Sequence, residues 1–241
     1  MPTHIPAFFN IGHRGAPLLV PPGNTLTGLL RAVEVGAQML EVDVRRTRDD
    51  VLILDHENVH TIAGVEVPIR DRSLSHWQKY AEDEGYNLAT LDEAFDLAAQ
   101  WDVGLMLDFK EVGTEALLAR AIRRSRFPLE RLLVAGAADS SRRILRSLDP
   151  RIPLSLTLEL EDARQITPKL LSELDTEAIT WHYRLINPPI AEILQRREIR
   201  VYAWTVDTAT EMRRLRDTCH VDGIITNSPD LLRSIQSDSP S

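Results

Sequence analysis

Two spacings of apolar residues alternate along the chain. Short apolar runs bounded by glycine, proline or polar residues are typical of buried strands, and longer stretches with apolar residues three or four positions apart are typical of amphipathic helices. The two kinds of segment follow each other in turn, which predicts an α/β fold built on a parallel sheet. The eight predicted strands cover residues 8–12, 39–44, 104–108, 132–135, 153–157, 178–181, 201–205 and 223–226.

Several predicted helices have recognisable first residues. Thr25 is a capping residue in front of the periodic apolar stretch that begins at Leu26, and Gly36 follows the end of that stretch. A capping residue before a proline marks three further helix starts, at Thr167-Pro168, Asn187-Pro188 and Ser228-Pro229. The strand count, the helices between the strands and the length of 241 residues predict a (β/α)8 TIM barrel that spans residues 1–241 as a single domain.

The second predicted strand carries carboxylates on one face. Glu41 and Asp43 alternate with apolar residues, so the two side chains point to the same side of the strand. A hairpin turn centred on Asp49-Asp50 would lead into the apolar run 51–54 and place His56 opposite Asp43. A pair of carboxylates that faces a histidine suits a divalent metal combined with general acid–base catalysis.

The third predicted strand repeats this pattern. Met106, Asp108 and Lys110 share one face, and apolar residues occupy the other face. Ionised carboxylates that point into a barrel need a metal or a basic partner, because burying an unpaired charge is costly. An ion pair between Asp108 and Lys110 alone is the simpler alternative.

Short motifs spread over the chain resemble those of one enzyme family. In sequence order they are His13-Arg14-Gly15, Pro22-Gly23-Asn24-Thr25, Gly36-Ala37, Glu41-Val42-Asp43-Val44, Thr47, His56, Asp108-Phe109-Lys110, Trp204-Thr205-Val206 and Ile225-Thr226-Asn227-Ser228-Pro229. Together they resemble glycerophosphodiester phosphodiesterases over nearly the whole chain. Members of that family are TIM barrels that use a divalent metal to hydrolyse glycerophosphodiesters to glycerol 3-phosphate and an alcohol. The resemblance therefore implies a metal-dependent phosphoric diester hydrolase.

The resemblance also implies roles for individual residues. His13 and His56 are the expected catalytic pair, one deprotonating the attacking group and the other protonating the leaving alkoxide. Which histidine is the base, and whether water or a glycerol hydroxyl attacks, stays open. One divalent cation is expected, and oxygen ligands favour Mg2+ or Ca2+. The expected metal ligands are Glu41, Asp43 and Asp108, and the expected substrate contacts are Arg14, Lys110 and Trp204.

Two residues near later strand ends have open alternatives. Trp204 lies near the end of the seventh predicted strand, where it would either belong to the core or pack against the leaving alcohol or a choline head group. His182 follows the preceding strand and would be either a structural residue or a further side chain at the mouth of the barrel.

Charge and hydropathy narrow the expected partners and location. The formal net charge of −8 disfavours nucleic acid, which is bound through clustered lysine and arginine. No apolar run approaches the roughly 20 residues that span a bilayer. Residues 1–6 lack the basic and apolar regions of a signal peptide. The expected partner is a small-molecule glycerophosphodiester, and the expected location is the cytoplasm. The one cysteine, Cys219, excludes an internal disulfide.

An insertion follows the hairpin of the second strand. Residues 57–103 form a longer connection than barrel strands usually have. Thr90 and Glu93 fit a capping box at the start of a helix. The polar composition of residues 60–85 predicts an irregular segment, which is either a lid over the active face or a solvated insertion.

The chain departs from the family pattern at several positions. Gly23 and Asp108 stand where a glutamate is usual, Glu57 stands where an aspartate usually follows the histidine, and Asn227 stands where an aspartate is common. Two alternatives to the phosphodiesterase therefore stay open. One is a lysophospholipase D-like hydrolase from a related branch of the family. The other, favoured by the missing carboxylate at Gly23, is a catalytically weakened barrel that acts as a binding protein.

Overall fold

Eight of the described strands form one barrel. The computed structural model describes residues 8–161, 167 and 175–237. Its strands are β1 (Phe9–His13), β2 (Met39–Arg46), β3 (Leu52–Leu54), β4 (Val59–Ile62), β5 (Val65–Pro68), β6 (Gly104–Phe109), β7 (Leu132–Ala135), β8 (Ser155–Leu158), β9 (Ala178–His182), β10 (Arg200–Trp204) and β11 (Gly223–Thr226). Parallel pairing follows the order β7-β6-β2-β1-β11-β10-β9-β8, and a parallel bridge from Val134 to Leu154 closes the circle. The predicted (β/α)8 barrel is confirmed.

The helices alternate with these strands. They are α1 (Leu26–Glu34), α2 (Leu74–Asp83), α3 (Leu91–Gln100), α4 (Glu115–Ser125), α5 (Asp139–Leu148), α6 (Pro188–Gln195), α7 (Ala209–Arg213) and α8 (Pro229–Ser237). The caps predicted at Thr25 and Asn187 are confirmed, because both side chains accept a hydrogen bond from an N–H of the first helical turn. The start predicted at Ser228-Pro229 is also confirmed. Pro168, from the remaining predicted start, lies outside the described residues.

Apolar layers lie on both sides of the barrel wall. The outer layer lies between strands and helices, and β2 contributes its fully buried apolar face to it. The inner layer includes Met39 and Met106. Because successive residues of a strand point to opposite sides, Glu41, Asp43 and Asp108 point inward with these methionines. Asp43 and Asp108 are direct neighbours in the register of β2 and β6. The predicted shared face of the carboxylates is confirmed.

The hairpin register differs from the prediction by one residue. In the antiparallel pair of β2 and β3, the N–H of Asp55 donates to the carbonyl of Asp43 at 3.1 Å. Asp43 therefore lies opposite Asp55, and the predicted position opposite His56 is wrong. The physical reason is the Thr47 side chain, which accepts the N–H of Val51 at 3.1 Å. Because Thr47 and Val51 close the turn, its centre lies at Asp49 and not between Asp49 and Asp50, and the pairing shifts by one residue.

The insertion is ordered and has a small core of its own. Strands β4 and β5 form a hairpin, and α2 packs Trp77 against Ile69, whose carbonyl accepts the indole N–H at 2.8 Å. The irregular segment predicted for residues 60–85 is therefore wrong, because a few apolar residues on β4, β5, the turn after β5 and α2 pack together with Ile53 of β3. The capping box of Thr90 and Glu93 is confirmed.

The described helices are too short or too polar to cross a membrane. The single domain over residues 1–241 and the cytoplasmic location stay predictions.

Candidate active site

The carboxyl ends of the barrel strands surround a cavity of about 290 Å³. In a barrel of this kind, the loops at that end carry the functional residues. The predicted site residues that line the cavity are His13, Arg14, Glu41, His56, Asp108, Lys110 and Trp204. Asp43 is buried and contacts Arg14 and Lys110, which line the cavity. The structure thus brings all eight predicted residues together.

Three carboxylates form a cluster on one side of the cavity, and two of them, Glu41 and Asp108, line it. Glu41, Asp43 and Asp108 each present an oxygen, and these oxygens lie within 4.8 Å of one another. Arg14 Nε lies 3.0 Å from Asp43 Oδ2. Lys110 Nζ lies 2.9 Å from Asp43 Oδ1 and 3.0 Å from Asp108 Oδ2. The ion pair of Asp108 and Lys110 is therefore present within a larger charged cluster.

The cluster carries more negative than positive charge when all its groups are ionised. Burial and then the neighbouring carboxylates of Asp43 and Asp108 hold the pKa of Glu41 well above its usual range. Burial also acts to raise the pKa of Asp43, but Lys110 and Arg14 hold it below its ordinary value. Of these two carboxylates, Glu41 is thus the one whose negative charge is less neutralised by neighbouring basic groups. Three oxygen donors with an excess of one negative charge fit a hard divalent cation, and these residues could hold one.

His13 contacts Asn227, which is held in turn by Asp207, a residue that the sequence did not point to. His13 Nδ1 lies 2.7 Å from Asn227 Oδ1. Asn227 donates its backbone N–H and its side-chain Nδ2 to the carboxylate of Asp207, at 2.8 and 2.7 Å. Because Nδ2 is engaged by Asp207, Oδ1 must face His13 and accept a hydrogen bond from its Nδ1–H group. Nε2 of His13 is therefore the nitrogen that carries the free electron pair.

The surroundings of His13 favour its uncharged form. Burial and then the nearby Arg14 guanidinium lower the pKa of His13. Nε2 points toward the carboxylate cluster and lies 3.9 Å from Glu41 Oε2. An uncharged imidazole with a free Nε2 beside the cluster can accept a proton from a group bound there.

His56 lines the same cavity in a more exposed position. Its Nδ1 is 2.8 Å from Glu57 Oε1, and its carbonyl accepts a hydrogen bond from Arg45 at 3.0 Å. Glu57, which departs from the family pattern, therefore still provides a carboxylate partner for the histidine. Because Nδ1 faces the Glu57 carboxylate, Nε2 is the ring nitrogen of His56 that can exchange a proton with a group in the cavity.

The opposite wall carries hydroxyl groups and an aromatic ring. Thr157 and Thr180 join their hydroxyls at 2.7 Å and line the cavity together with Trp204. His182 packs edge-on against Trp204 with ring centroids 5.3 Å apart. Trp204 is the member of this pair that faces the cavity. The two threonines were missed because each lies alone on its own strand and only the closed barrel makes them neighbours.

Gly136, directly after β7, leaves room for the side chain of Asp108. Gly136 has a φ of +69°, and a Cβ there would collide with Oδ1 of Asp108. Gly136→Ala is expected to lower the melting temperature by about 2–4 °C or more, since Ala at positive φ is strained and the collision adds to the strain. Gly113→Ala is the matched control, because Gly113 has a φ of +89° with nothing within 4 Å of its Cβ position. Equal shifts in thermal denaturation of the two variants would contradict the collision.

These features define the class of the site as that of a TIM-barrel hydrolase. The mouth of the barrel carries carboxylates that could bind a cation, basic residues that could bind an anion, and two histidines. The sequence matches the model of the "Glycerophosphoryl diester phosphodiesterase family" over residues 13–231. The chain belongs to that family, which is one of phosphoric diester hydrolases. The predicted family and enzyme class are confirmed.

One sequence relative and two solved structures show what this chain is similar to. The chain is 29% identical over 240 residues to a glycerophosphodiester phosphodiesterase of Caldanaerobacter subterraneus subsp. tengcongensis, covering 92% of this chain and 95% of that protein. Its fold resembles an Oleispira antarctica phosphodiesterase in complex with the product sn-glycerol-3-phosphate, with a TM-score of 0.82, 21% identity and coverage of 97% and 98%. A putative glycerophosphoryl diester phosphodiesterase of Silicibacter pomeroyi gives a TM-score of 0.81, 22% identity and coverage of 98% and 94%.

Proposed function

We propose that this protein hydrolyses glycerophosphodiesters to glycerol 3-phosphate and an alcohol, with a bound divalent cation and two histidines. The proposal rests on one observation: a single cavity brings together the carboxylate cluster, two basic residues (Arg14 and Lys110) and both histidines. The names of the Caldanaerobacter relative and of the product complex from Oleispira support the same substrate class.

Glu41, Asp43 and Asp108 would hold the cation. Their oxygen donors favour Mg2+ or Ca2+ over softer metals. When bound, the cation supplies stabilisation of the negative charge that develops on the phosphoryl oxygens. Arg14 and Lys110 line the same cavity and would attract the diester, which enters as an anion despite the net negative charge of the chain.

The two histidines would divide the proton transfers. His13, with its free Nε2, accepts the proton of the attacking hydroxyl, which belongs to water or to the glycerol moiety. The new bond forms at phosphorus while the bond from phosphorus to the leaving oxygen breaks. His56 gives the leaving alkoxide its proton. The different partners of the rings, an amide oxygen for His13 and a carboxylate for His56, support this order.

Turnover of defined substrates tests the proposal. Purified protein with Mg2+ or Ca2+ is incubated with glycerophosphocholine, glycerophosphoethanolamine or lysophosphatidylcholine, and glycerol 3-phosphate, lysophosphatidic acid and the released alcohol are measured. Release from the first two supports the proposal. Conversion of the lysolipid alone would favour the lysophospholipase D-like alternative, and no conversion of any diester would favour the binding protein. Detection of a cyclic glycerophosphate during turnover would identify the glycerol hydroxyl as the attacking group.

Asp207 is expected to position the base. Asp207→Ala removes the acceptor that fixes the Asn227 amide, so the His13 ring loses its defined tautomer. We expect kcat to fall about 10–100-fold, as for outer-shell partners of catalytic groups, with KM changed little. The nitrogen chemical shifts of His13 should change from a single tautomer to a mixture. Asp207→Asn keeps one acceptor oxygen, so its kcat should lie between those of the wild type and Asp207→Ala. A lower melting temperature together with a changed KM would indicate a purely structural role for Asp207.

A further inference from the structure

The short loop that carries His56 is joined to the insertion by one carboxylate. Asp55 directly follows β3. Its Oδ1 accepts the backbone N–H of Glu57 at 2.9 Å, and its Oδ2 lies 2.7 Å from Nε2 of His60. An ionised carboxylate only accepts hydrogen bonds, so Nε2 of His60 carries the proton of this contact. Asp55 therefore connects the residue after His56 to a histidine of the insertion.

The His60 ring packs against the core of the insertion. Its centroid lies 5.3 Å from that of Trp77 and 5.0 Å from that of Tyr80. Trp77 is buried and donates its indole N–H to the carbonyl of Ile69 at 2.8 Å. The N–H of Ile69 donates in turn to the carbonyl of Asn58 at 3.0 Å. The core of the insertion thus fixes the position from which His60 reaches Asp55.

The side-chain contact of His56 itself is exposed. The His56 side chain is 40% exposed and that of its partner Glu57 is 62% exposed. Asp55 and His60 are much more buried, with side chains 13% and 15% exposed. Exposed ion pairs hold their geometry weakly because water screens them, whereas hydrogen bonds to an ionised group shielded from water are among the stronger ones. On the barrel side, Arg45 donates to the carbonyl of His56 at 3.0 Å. The barrel and the insertion therefore both hold the loop.

We propose that Asp55 and His60 are positioning residues for His56, and that the insertion holds the loop of residues 55–57 in place through this pair. The inference rests on the proposed function, because that function assigns a proton transfer to His56. Proton transfer needs donor and acceptor within hydrogen-bond distance, so a displaced ring slows the reaction. The insertion then serves the active site as a support for a catalytic side chain.

Removing the donor of this contact is the first test. His60→Leu keeps an apolar side chain against Trp77 and Tyr80 and removes the hydrogen bond to Asp55. We expect kcat for glycerophosphocholine to fall about 10–100-fold, as for outer-shell partners of catalytic groups. KM should change little, because the groups that bind the phosphate are untouched. Unchanged kcat in His60→Leu would overturn the proposal.

Two further variants separate the hydrogen bond from the packing. His60→Gln keeps an N–H donor toward Asp55 and should retain most of the activity. Asp55→Ala removes both hydrogen bonds of the carboxylate and should lose at least as much activity as His60→Leu. Wild-type kcat in Asp55→Ala would contradict the assignment of the pair.

His76→Ala is the matched control within the insertion. His76 lies on α2 and packs edge-on against the same Trp77 at 5.3 Å, and its Nε2 has no hydrogen-bond partner among the described residues. The variant loses a ring contact of the insertion core and leaves the pair of Asp55 and His60 in place. Its kcat should equal that of the wild type. A loss as large as that of His60→Leu would assign the effect to the packing of the insertion and overturn the role of the pair.

A double variant tests whether the pair acts through His56. If His60 only places the His56 ring, then the double variant His56→Ala/His60→Leu should have the same kcat as His56→Ala alone. Two independent contributions would multiply, and the double variant would then be slower than His56→Ala by the full factor of His60→Leu. That result would overturn the proposal.

Backbone relaxation separates this proposal from the proposed function. The amide ¹⁵N order parameters of residues 56 and 57 should lie near about 0.85 in the wild type and fall toward about 0.6 in His60→Leu, whether or not any diester is hydrolysed. A wild type that turns over no diester but shows this dependence on His60 would overturn the proposed function and support the placement of the loop by the pair. Turnover by a wild type whose order parameters equal those of His60→Leu would overturn the positioning role alone.

Discussion

Replacing His13 or His56 by alanine is expected to lower kcat about 10²–10⁴-fold, the usual contribution of one general acid or base. Both side chains line the cavity at the mouth of the barrel and neither belongs to an apolar layer, so the melting temperature should change little. The measurement is steady-state turnover of glycerophosphocholine together with thermal denaturation of each variant. His76→Ala, on α2 and outside the residues that line the cavity, is the matched histidine control.

The leaving group distinguishes the two histidines. A p-nitrophenyl ester of glycerol 3-phosphate releases a weakly basic phenolate that does not need a proton. His56→Ala should therefore lose much less activity on this ester than on glycerophosphocholine, whereas His13→Ala should lose the same factor on both. The reverse pattern would exchange the roles of the two histidines, and near-wild-type turnover by either variant would remove that residue from the mechanism.

Alternation along β2 and β6 made the inner faces of these strands predictable. A strand buried on both sides has no polar face for solvent, so Glu41, Asp43 and Asp108 had to point into the barrel with partners. The hairpin register was less predictable, because it depends on one side-chain hydrogen bond from Val51 to Thr47. Local composition indicates a turn there but does not fix which residues close it.

Other parts of the site depend on contacts between distant residues. Asp207 and Asn227 follow neighbouring strands, β10 and β11, and only the closed barrel joins them to His13 on β1. The available signal was that Asp207 directly follows one family motif and Asn227 lies within another. Gly23 is explained by a similar close approach, because a Cβ at this position would lie 2.6 Å from the Cβ of Arg14. The loop as it stands has no room for the usual glutamate, and this departure leaves every cavity-lining carboxylate in place.

Removal of divalent cations is expected to abolish turnover while the fold persists. The two apolar layers of the barrel provide the core without a metal, unlike small metal-dependent domains that unfold on chelation. A chelator should therefore leave the far-UV circular dichroism spectrum unchanged, and added Mg2+ or Ca2+ should restore activity. Loss of the spectrum on chelation would mean that a metal has a structural role.

Single carboxylate variants test the ligand set. Glu41→Gln, Asp43→Asn and Asp108→Asn keep the side-chain shape and each remove one charge from the cluster, so metal affinity should fall at least about tenfold in each, because affinity follows the charge of the ligands. Asp108→Asn is the most informative variant, since its side chain is shorter than the glutamate usual in the family. A much smaller loss than in Asp43→Asn would indicate contact with the ion through water.

Calorimetric titration of metal-free protein measures these affinities. Asp92→Asn is the matched control, because Asp92 is an exposed carboxylate on α3 that pairs with Arg124. It should bind the cation as the wild type does. Asp43→Asn also removes charge from the contacts with Arg14 and Lys110, so its melting temperature is compared at saturating metal to separate lost affinity from lost stability. Unchanged affinity in all three cluster variants would place the cation elsewhere and remove the carboxylate cluster from the proposed mechanism.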